Sequence, residues 1–229
     1  MTDPVLRDLT SLAELKEAER FQRLVWGRDD PPDNSDILLA IQHEGGLVAG
    51  AFADDLMIGF VFGFPTRDPK AQHSHRLGVH PDWQGRGLGL RMKLYQKHWC
   101  LARGITEVRW TYDPIRRANA VLNIARLGAT ARTYYRDHYG PMEGINAGVA
   151  SDRLLAEWDL TRAANPDVFI DRLVQIPPDF AALVHDDLTT AQSERLRVRD
   201  ALEGAFADGL HIAGFDRAKN TYLLARGAA

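Results

Sequence analysis

The sequence holds one cysteine, Cys100. An intrachain disulfide is therefore excluded, as is any metal centre built from several thiolates. No apolar run approaches the roughly 20 residues that a membrane helix requires, and the opening Met1-Thr2-Asp3-Pro4-Val5 has no basic segment leading into an apolar one. A cytoplasmic location without a membrane partner is the expectation. A strong charge of either sign is also missing, since the formal net charge is −3 and the pI is near 6.2. Nothing global draws the chain toward nucleic acid. Lysine is scarce (Lys16, Lys70, Lys93, Lys97, Lys219) beside abundant arginine, a usage expected of a GC-rich bacterial genome. What the chain does have is 45% hydrophobic residues over 229 positions, which suits one substantial core plus an appendage.

The densest signal runs from Arg76 to Leu101. Gly85, Gly87 and Gly89 alternate just ahead of a helical pattern, and glycines there let backbone amides crowd around an anion that side chains would block. A Walker loop would continue Gly-Lys-Ser/Thr, but here the chain reads Gly89-Leu90-Arg91. A Rossmann fingerprint needs Gly-x-Gly-x-x-Gly straight after a strand, whereas Leu90 stands three positions beyond Gly87 and Pro81-Asp82-Trp83 intervenes. The pattern that fits is Gln-x-x-Gly-x-Gly, here Gln84, Gly87 and Gly89, preceded by Val79, His80 and Pro81. This combination resembles the acyl-CoA loop of the GNAT superfamily, the GCN5-related N-acyltransferases.

Periodicity supplies the elements around that loop. A first helix is predicted over Leu9 to Trp26, ended by Gly27, with Leu12, Leu15, Ala18, Phe21 and Val25 recurring at helical spacing. Arg28 to Asp36, carrying Asp29, Asp30, Asp33 and Asp36, reads as a solvated turn with helix-capping aspartates; the alternative, implied by the resemblance, is a substrate wall whose carboxylates receive a cationic amine. Strands follow at Leu47 to Ala53 and Met57 to Phe64, with Phe60, Phe62 and Phe64 on one face, and then from His73 to His80. Strict alternation puts His73, His75, Leu77 and Val79 on one side of that last strand. Two histidines there bring no third ligand of matching spacing, so no metal is expected. The helix after the glycines lines up Leu88, Met92, Tyr95 and Trp99, flanked by Leu90, Leu94 and Leu101, for a wide buried face. The strand Glu107 to Tyr112 then pairs parallel to its predecessor through a right-handed crossover. Asp113 as N-cap and Pro114 open a further helix reaching Arg126 and ended by Gly128. A strand with Leu154, Ala156, Trp158 and Leu160 closes the core. The rest reads as a strand near Leu173 to Ile176, a helix from Thr190 to Ala207 whose apolar face carries Val198, Ala201, Leu202 and Ala205, and strands Leu210 to Phe215 and Thr221 to Ala225.

The resemblance covers roughly Leu9 to Leu160, and what it implies goes further than periodicity. The implied fold class is α/β (α+β), with a mixed central sheet, helices on both faces and a C-terminal α/β extension. Residues 1–160 would be the acyl-CoA-binding catalytic domain, and 161–229 the extension, packed on the core or across a homodimer. Acetyl-CoA or another acyl-CoA would set its pyrophosphate on the amides of Gln84, Gly85, Arg86, Gly87, Leu88 and Gly89, with the amide of Val79 near the thioester carbonyl. In the family a tyrosine often stands four residues before the glycine of Leu-Gly-Phe and acts as general acid. Here the motif is Leu127-Gly128-Ala129 and that position is Ile124. The acid is sought instead among Tyr134, Tyr135 and Tyr139, with Tyr139 first, and His75 is the candidate base. Asn119 and Asn123, one helical turn apart, are candidates for the pantetheine amides or the acyl group, and Arg116 and Arg117 for a substrate carboxylate. The helix with paired asparagines is similar to a bacterial subgroup with a C-terminal extension, some of whose relatives are succinyl-CoA-dependent acyltransferases for amino acids. The implied reaction is transfer of an acetyl or succinyl group to the amine of a small molecule or amino acid; protein lysines and antibiotics stay open as acceptors. A regulatory acyl-CoA-binding module without catalysis is the alternative.

Overall fold

A computed structural model describes residues 3–27, 30–141, 148–162 and 169–227. Asp29 and Gly144 lie outside the described residues. The chain divides into two compact units, Met1–Arg109 and Trp110–Ala229.

The first unit is built on β1 (Val5–Asp8), β2 (Leu47–Ala53), β3 (Leu56–Pro65), β4 (Ala71–Val79) and the start of β5 (Glu107–Tyr112), which lie in that order. Pairing is antiparallel from β1 to β4 and parallel between Ala71–His73 of β4 and Glu107–Arg109 of β5. Helices α1 (Leu12–Trp26) and α2 (Ser35–His43) cover one face, where Leu15, Ala18, Phe21 and Leu38 meet Val48, Phe52, Phe60 and Phe62. Helix α3 (Leu88–Leu101) covers the other, where Leu88 and Met92 meet Ala49, Ala51, Ile58 and Val61. With both faces covered, β2 and β3 read as nearly continuous apolar runs.

The unit differs from the sequence reading in one helix start and in two elements. Helix α1 starts at Leu12 and not at Leu9, because Ser11 and Glu14 form a reciprocal capping box. Leu9 goes into the sheet side instead, with its N–H donating to the Val48 carbonyl and its side chain fully buried. Strand β1 and helix α2 were not foreseen: one has four residues, and the other buries only Ser35 and Leu38, too few for a period to show. The cap of α2 is Asn34, whose side chain accepts from the Ile37 amide. Asp30 and Asp33 are therefore not caps; both pair with the Arg76 guanidinium, at 2.8 and 2.9 Å.

The buried face of α3 is partly polar, which corrects the expected apolar stripe. Leu94 and Leu101 are exposed, and Tyr95 and Trp99 are half-buried with their polar tips donating to the Asp8 carboxylate. Lys93, Gln96 and Cys100 are buried in their place, against Gln72 and Ser74 of β4. The Lys93 ammonium donates to Ser74 Oγ (2.8 Å) and Gln96 Oε1 (3.0 Å), and Gln96 Nε2 donates to Gln72 Oε1 (2.7 Å). Most of these polar ends are paired within the cluster, which lowers the cost of burying them, while Gln72 Nε2 has no hydrogen-bond partner among the described residues. Burial pushes the Lys93 ammonium down to about 7, with Cys100 acting weakly the other way.

In the second unit the strand order is β5, β7 (Arg153–Asp159), β6 (Thr130–Tyr135), β9 (Leu210–Asp216), β10 (Thr221–Arg226), β8 (Arg172–Gln175). Strand β9 runs antiparallel to β6, with Ala131 opposite Ile212, so strands of the C-terminal extension continue the sheet begun by β7 and β6. A helical turn α4 (Arg117–Ala120) runs into a π-helical stretch, Val121–Arg126. Two further helices, α5 (Phe180–Asp186) and α6 (Leu188–Ala207), complete it, and α6 buries Val198, Leu202 and Ala205. Asp113 does not cap a helix, because α4 begins only after Arg116. Its carboxylate is taken by Arg195 in a buried bidentate pair (2.6 and 2.8 Å), and the Ile115 amide donates to it as well. The Tyr222 hydroxyl donates to the Pro114 carbonyl at 2.7 Å. Together these hold Pro114 and Ile115 in an isolated turn, closed by the Arg116 N–H donating to the Asp113 carbonyl, where the first turn of a helix was expected.

Truncation after Leu160 removes β9 from the edge of β6 and Arg195 from Asp113, and leaving one partner of such a buried pair alone costs about 3–5 kcal/mol. The fragment is expected in the insoluble fraction, and a soluble fragment with a cooperative melt would refute this. For Lys93, the unfolded chain holds its proton up to about pH 10 while the folded chain releases it near 7, so stability conferred by this residue rises with pH between the two values. Urea unfolding of wild type and Lys93→Met at pH 7, 8 and 9 should show the wild type gaining on the variant, by at most about 1.4 kcal/mol per pH unit. Parallel curves would show that the lysine titrates normally.

Candidate functional site

The glycine loop joins β4 to α3. After Val79 the chain makes one 3₁₀ turn, Pro81–Trp83, opened by the His80 ring, whose Nδ1 accepts from the Asp82 amide. Gln84 turns back to donate from Nε2 to the Val79 carbonyl at 3.2 Å, which ties the loop to the end of the strand. Gly85 and Gly87 follow with φ of 73° and 80°. A Cβ at either position would meet nothing within 4 Å, so the left-handed backbone, not crowding, is what requires glycine. Gly87 is the N-cap of α3 and supplies no side-chain cap. The first amides of the helix therefore face the exposed loop with their partial positive charge. Leu88 is the one buried side chain of the loop and anchors it to the core beside Met92. The Arg86 guanidinium lies 5.3 Å from the centre of the Trp83 ring.

Strand β4 departs from strict alternation. Its register with β3 slips between Ser74 and Arg76, so that His75 is an extra residue on the strand. Gln72 and Ser74 before the slip face α3, and so do Leu77 and Val79 after it, because the slip reverses the phase. His73 and His75 lie on the opposite face with Phe62 and Phe64, so the expected grouping of both histidines with Leu77 and Val79 is wrong. The two imidazoles stand 5.9 Å apart. His73 is stacked on Phe64 at 4.9 Å; His75 is more exposed, and its Nε2 lies 3.9 Å from the Asp33 carboxylate. Burial lowers both histidines, His73 to about 4 with His75 and Lys93 adding to the effect, while Asp33 works to raise His75. Asp33 is held by Gln22, whose amide bonds both its backbone N–H and its carbonyl. No third His, Cys, Asp or Glu joins the pair in a metal-holding group among the described residues.

In the second unit, Ile124 is 1% exposed and Asn123 4%, while Asn119 is partly exposed. The π-helical stretch begins between the two asparagines, and such stretches are frequent at functional sites. Arg116 lies near Asp113 (3.7 Å) and over the Phe180 ring, and Arg117 donates to Asn220, so both are engaged within the fold. The tyrosines separate clearly. Tyr134 donates to Asp152 at 2.7 Å, and Asp152 is also gripped by Arg199 in a bidentate pair. Burial and this carboxylate hold the Tyr134 phenol far above its ordinary range. Tyr135 stacks on His138 at 4.9 Å. Tyr139 is 54% exposed and yet fixed. Its hydroxyl is bonded to Thr111 Oγ1 at 3.0 Å, its ring meets the His138 edge at 4.7 Å, and the Arg153 guanidinium lies over it at 4.9 Å. Its amide donates to Ser151 Oγ, itself held by Asp137, a residue at φ 43°. Thr111, Arg153 and Lys93 were not singled out in the sequence. Lys93 left no distinguishing trace there, because Arg91, Lys97 and His98 are polar or charged positions of the same helix.

No curated protein matches the sequence. Among solved structures, the chain is similar to the ribosomal-protein-S18-alanine N-acetyltransferase from Escherichia coli, with 17% identity over 73% of this chain and all of that one and a TM-score of 0.56. It is also similar to a phosphinothricin acetyltransferase of the GNAT superfamily from Sinorhizobium meliloti in complex with AcCoA (16% identity, 72% and 93% covered, TM-score 0.54). A GNAT family acetyltransferase from Elizabethkingia anophelis with acetyl-CoA bound gives 11%, 68% and 97%, with a TM-score of 0.51. At these identities the likeness establishes the fold. The sequence profile of the Acetyltransferase (GNAT) family matches residues 11–124, from the cap of α1 into the π-helical stretch. Through that segment, the chain belongs to the GNAT family of acetyltransferases.

Proposed function

We propose that this chain is an N-acyltransferase that moves an acetyl or succinyl group from coenzyme A to the amine of a small molecule or amino acid by direct attack, with residues 1–160 as its catalytic part. The observation that carries the reading is the uncapped α3 N-terminus behind Gly85 and Gly87. The open space in front of both glycines suits a pyrophosphate, and the neighbours with acetyl-CoA bound support the same donor. Acyl-CoA supplies the activated thioester. Gln84 to Gly89 bind the phosphates, and the amide of Val79 offers a fixed donor to charge developing on the carbonyl oxygen. Asn119 and Asn123 offer amides to the pantetheine or the acyl group.

An amine is mostly protonated at neutral pH, so a base is required. His75 meets that need, because its lowered pKa keeps it neutral at pH 7 and Asp33 lies beside it to receive the positive charge once a proton arrives. Tyr139 is the first choice for the acid that protonates the leaving thiolate. An exposed phenol held on three sides has already lost the rotamer freedom that an ordinary surface tyrosine keeps. Tyr135 is the second choice. Tyr134 is set aside, because its proton is committed to Asp152. The buried Ile124 in the place of the family's tyrosine favours one competing reading, a regulatory acyl-CoA-binding module without turnover. Release of free thiol, with acetyl- and succinyl-CoA against a panel of amines and amino acids, separates the two: turnover with any pair excludes the regulatory reading.

Acyl-CoA at a hundredfold excess over Kd should stabilise the wild type by roughly 2.7 kcal/mol. Gly87→Asp should abolish that shift, since it places a side chain and a negative charge at the phosphate site and strains a left-handed position. A wild-type melting temperature indifferent to acetyl-CoA, succinyl-CoA and CoA would end the proposal. Tyr139→Phe removes only a hydroxyl and should lower kcat about a hundredfold or more with an unchanged melt. If Tyr139→Phe and Tyr135→Phe both keep wild-type turnover, neither phenol is the acid.

A further inference from the structure

One carboxylate on the segment between α1 and α2 faces two side chains of β4. Asp33 Oδ2 lies 2.9 Å from Arg76 Nε, and Asp33 Oδ1 lies 3.9 Å from His75 Nε2. Gln22 fixes the Asp33 backbone at both its N–H and its carbonyl. The buried Oδ2 accepts no hydrogen bond, close as it is to Arg76, so the carboxylate is held by charge on a fixed backbone. Arg76 has anchors of its own: Nη2 donates to Asp30 Oδ1 at 2.8 Å and to the Pro31 carbonyl at 3.2 Å, and the guanidinium lies 4.9 Å from the centre of the Trp26 ring. The other groups facing His75 are the rings of Phe62, Phe64 and His73, the last at 5.9 Å. Through the strand, Lys93 bonds Ser74 and so stands alike beside both histidines, and Arg109, opposite His73 in the parallel register, is paired with Glu107. Among the described residues, Asp33 is the one carboxylate within ion-pair range of the His75 ring.

We infer that Arg76 is a positioning residue for His75: by drawing the Asp33 carboxylate to its own side, it keeps that carboxylate short of hydrogen-bond distance from the imidazole. A guanidinium is charged at every working pH, whereas an imidazole is charged only once it has taken a proton. The carboxylate therefore goes to Arg76 while the ring is neutral, and the 3.9 Å gap at Nε2 is what remains. When the ring is charged, both cations attract Asp33 and the gap can close, so the imidazole gains its partner after it has accepted a proton and not before. Burial disfavours the charged ring most; Asp33 opposes that effect and Arg76 adds to it. The functional weight of the inference rests on His75 as the base proposed above; the restraint of Asp33 does not.

The test is an NMR titration of the His75 ring signals between about pH 3 and 8 in the wild type, Arg76→Gln and Arg76→Lys, each with and without Asp33→Asn. Lysine keeps the charge but not the fork that serves Asp30 and Asp33 together, so it should fold if the glutamine does not. Arg76→Gln should raise the His75 midpoint by about one pH unit, and Arg76→Lys by less. With Asn at position 33 most of that rise should vanish, because the carboxylate that the substitution releases is gone. A midpoint that falls or stays in a variant that melts cooperatively, or an equal rise with and without the Asp33 carboxylate, would overturn the inference. A kcat/KM profile in the same variants separates the two claims. If the ring midpoint rises and the acidic limb does not follow it, the restraint of Asp33 stands and His75 loses its role as base.

Discussion

One extra residue in β4 decides what the first unit can do. If the ladder kept its register beyond Ser74, Arg76 would turn into the apolar layer under α3, and Leu77 and Val79 would face α1 and α2. A guanidinium buried among Met92, Ile58 and Val61 without a carboxylate would cost several kcal/mol. The slip at His75 avoids this. It lets Gln72 and Ser74 share the α3 face with Leu77 and Val79, and it leaves Arg76 on the other side to meet Asp30, Asp33 and the Trp26 ring. The histidine pair keeps the face that alternation gives it, and the slip only parts it from Leu77 and Val79.

Glycine provides the room that this sheet needs. A Cβ at Gly59 would lie 2.6 Å from the Met92 sulfur, and one at Gly78 would lie 2.8 Å from the Trp26 ring. Both positions keep a helix close to the strand, on opposite faces. The strand end is then held by Gln84, and the loop passes directly into α3, whose polar interior is tied back to β4 by Lys93 and Gln96. Loop, strand and helix are thus braced by one another, which is what a preorganised anion site requires.

The second unit is held by buried ions. Asp113 with Arg195, and Asp152 with Arg199 and Tyr134, are each bidentate and supported by backbone amides. Such pairs add little net stability over an apolar core but strongly disfavour arrangements that leave one ion alone. Asp152 also receives the Asp137 amide, and Asp137 orders Ser151, which holds Tyr139. The exposed phenol is fixed by that buried carboxylate at two removes.

The sequence by itself determined the glycine loop, the family and most of the strands. Those signals are local: a positive φ before a helix selects glycine, and alternation over a strand such as Glu107–Tyr112, with Val108, Trp110 and Tyr112 buried, needs no distant partner. Short or weakly periodic elements, β1 and α2, escaped because four residues or two buried side chains hardly differ from chance. Asp113 carried a good capping signature, and the tertiary structure overruled it: Arg195, 82 residues away, binds that carboxylate more strongly than a helix terminus would. Whether Leu77 and Val79 share the face of His73 and His75 was likewise undecidable from the chain, since a bulge is set by which side chains the two covering layers accept, and a one-residue slip inverts every side chain beyond it. Lys93 was one charge among several on its helix, and only its place beside Ser74 shows that it lies buried under the strand that presents the histidines.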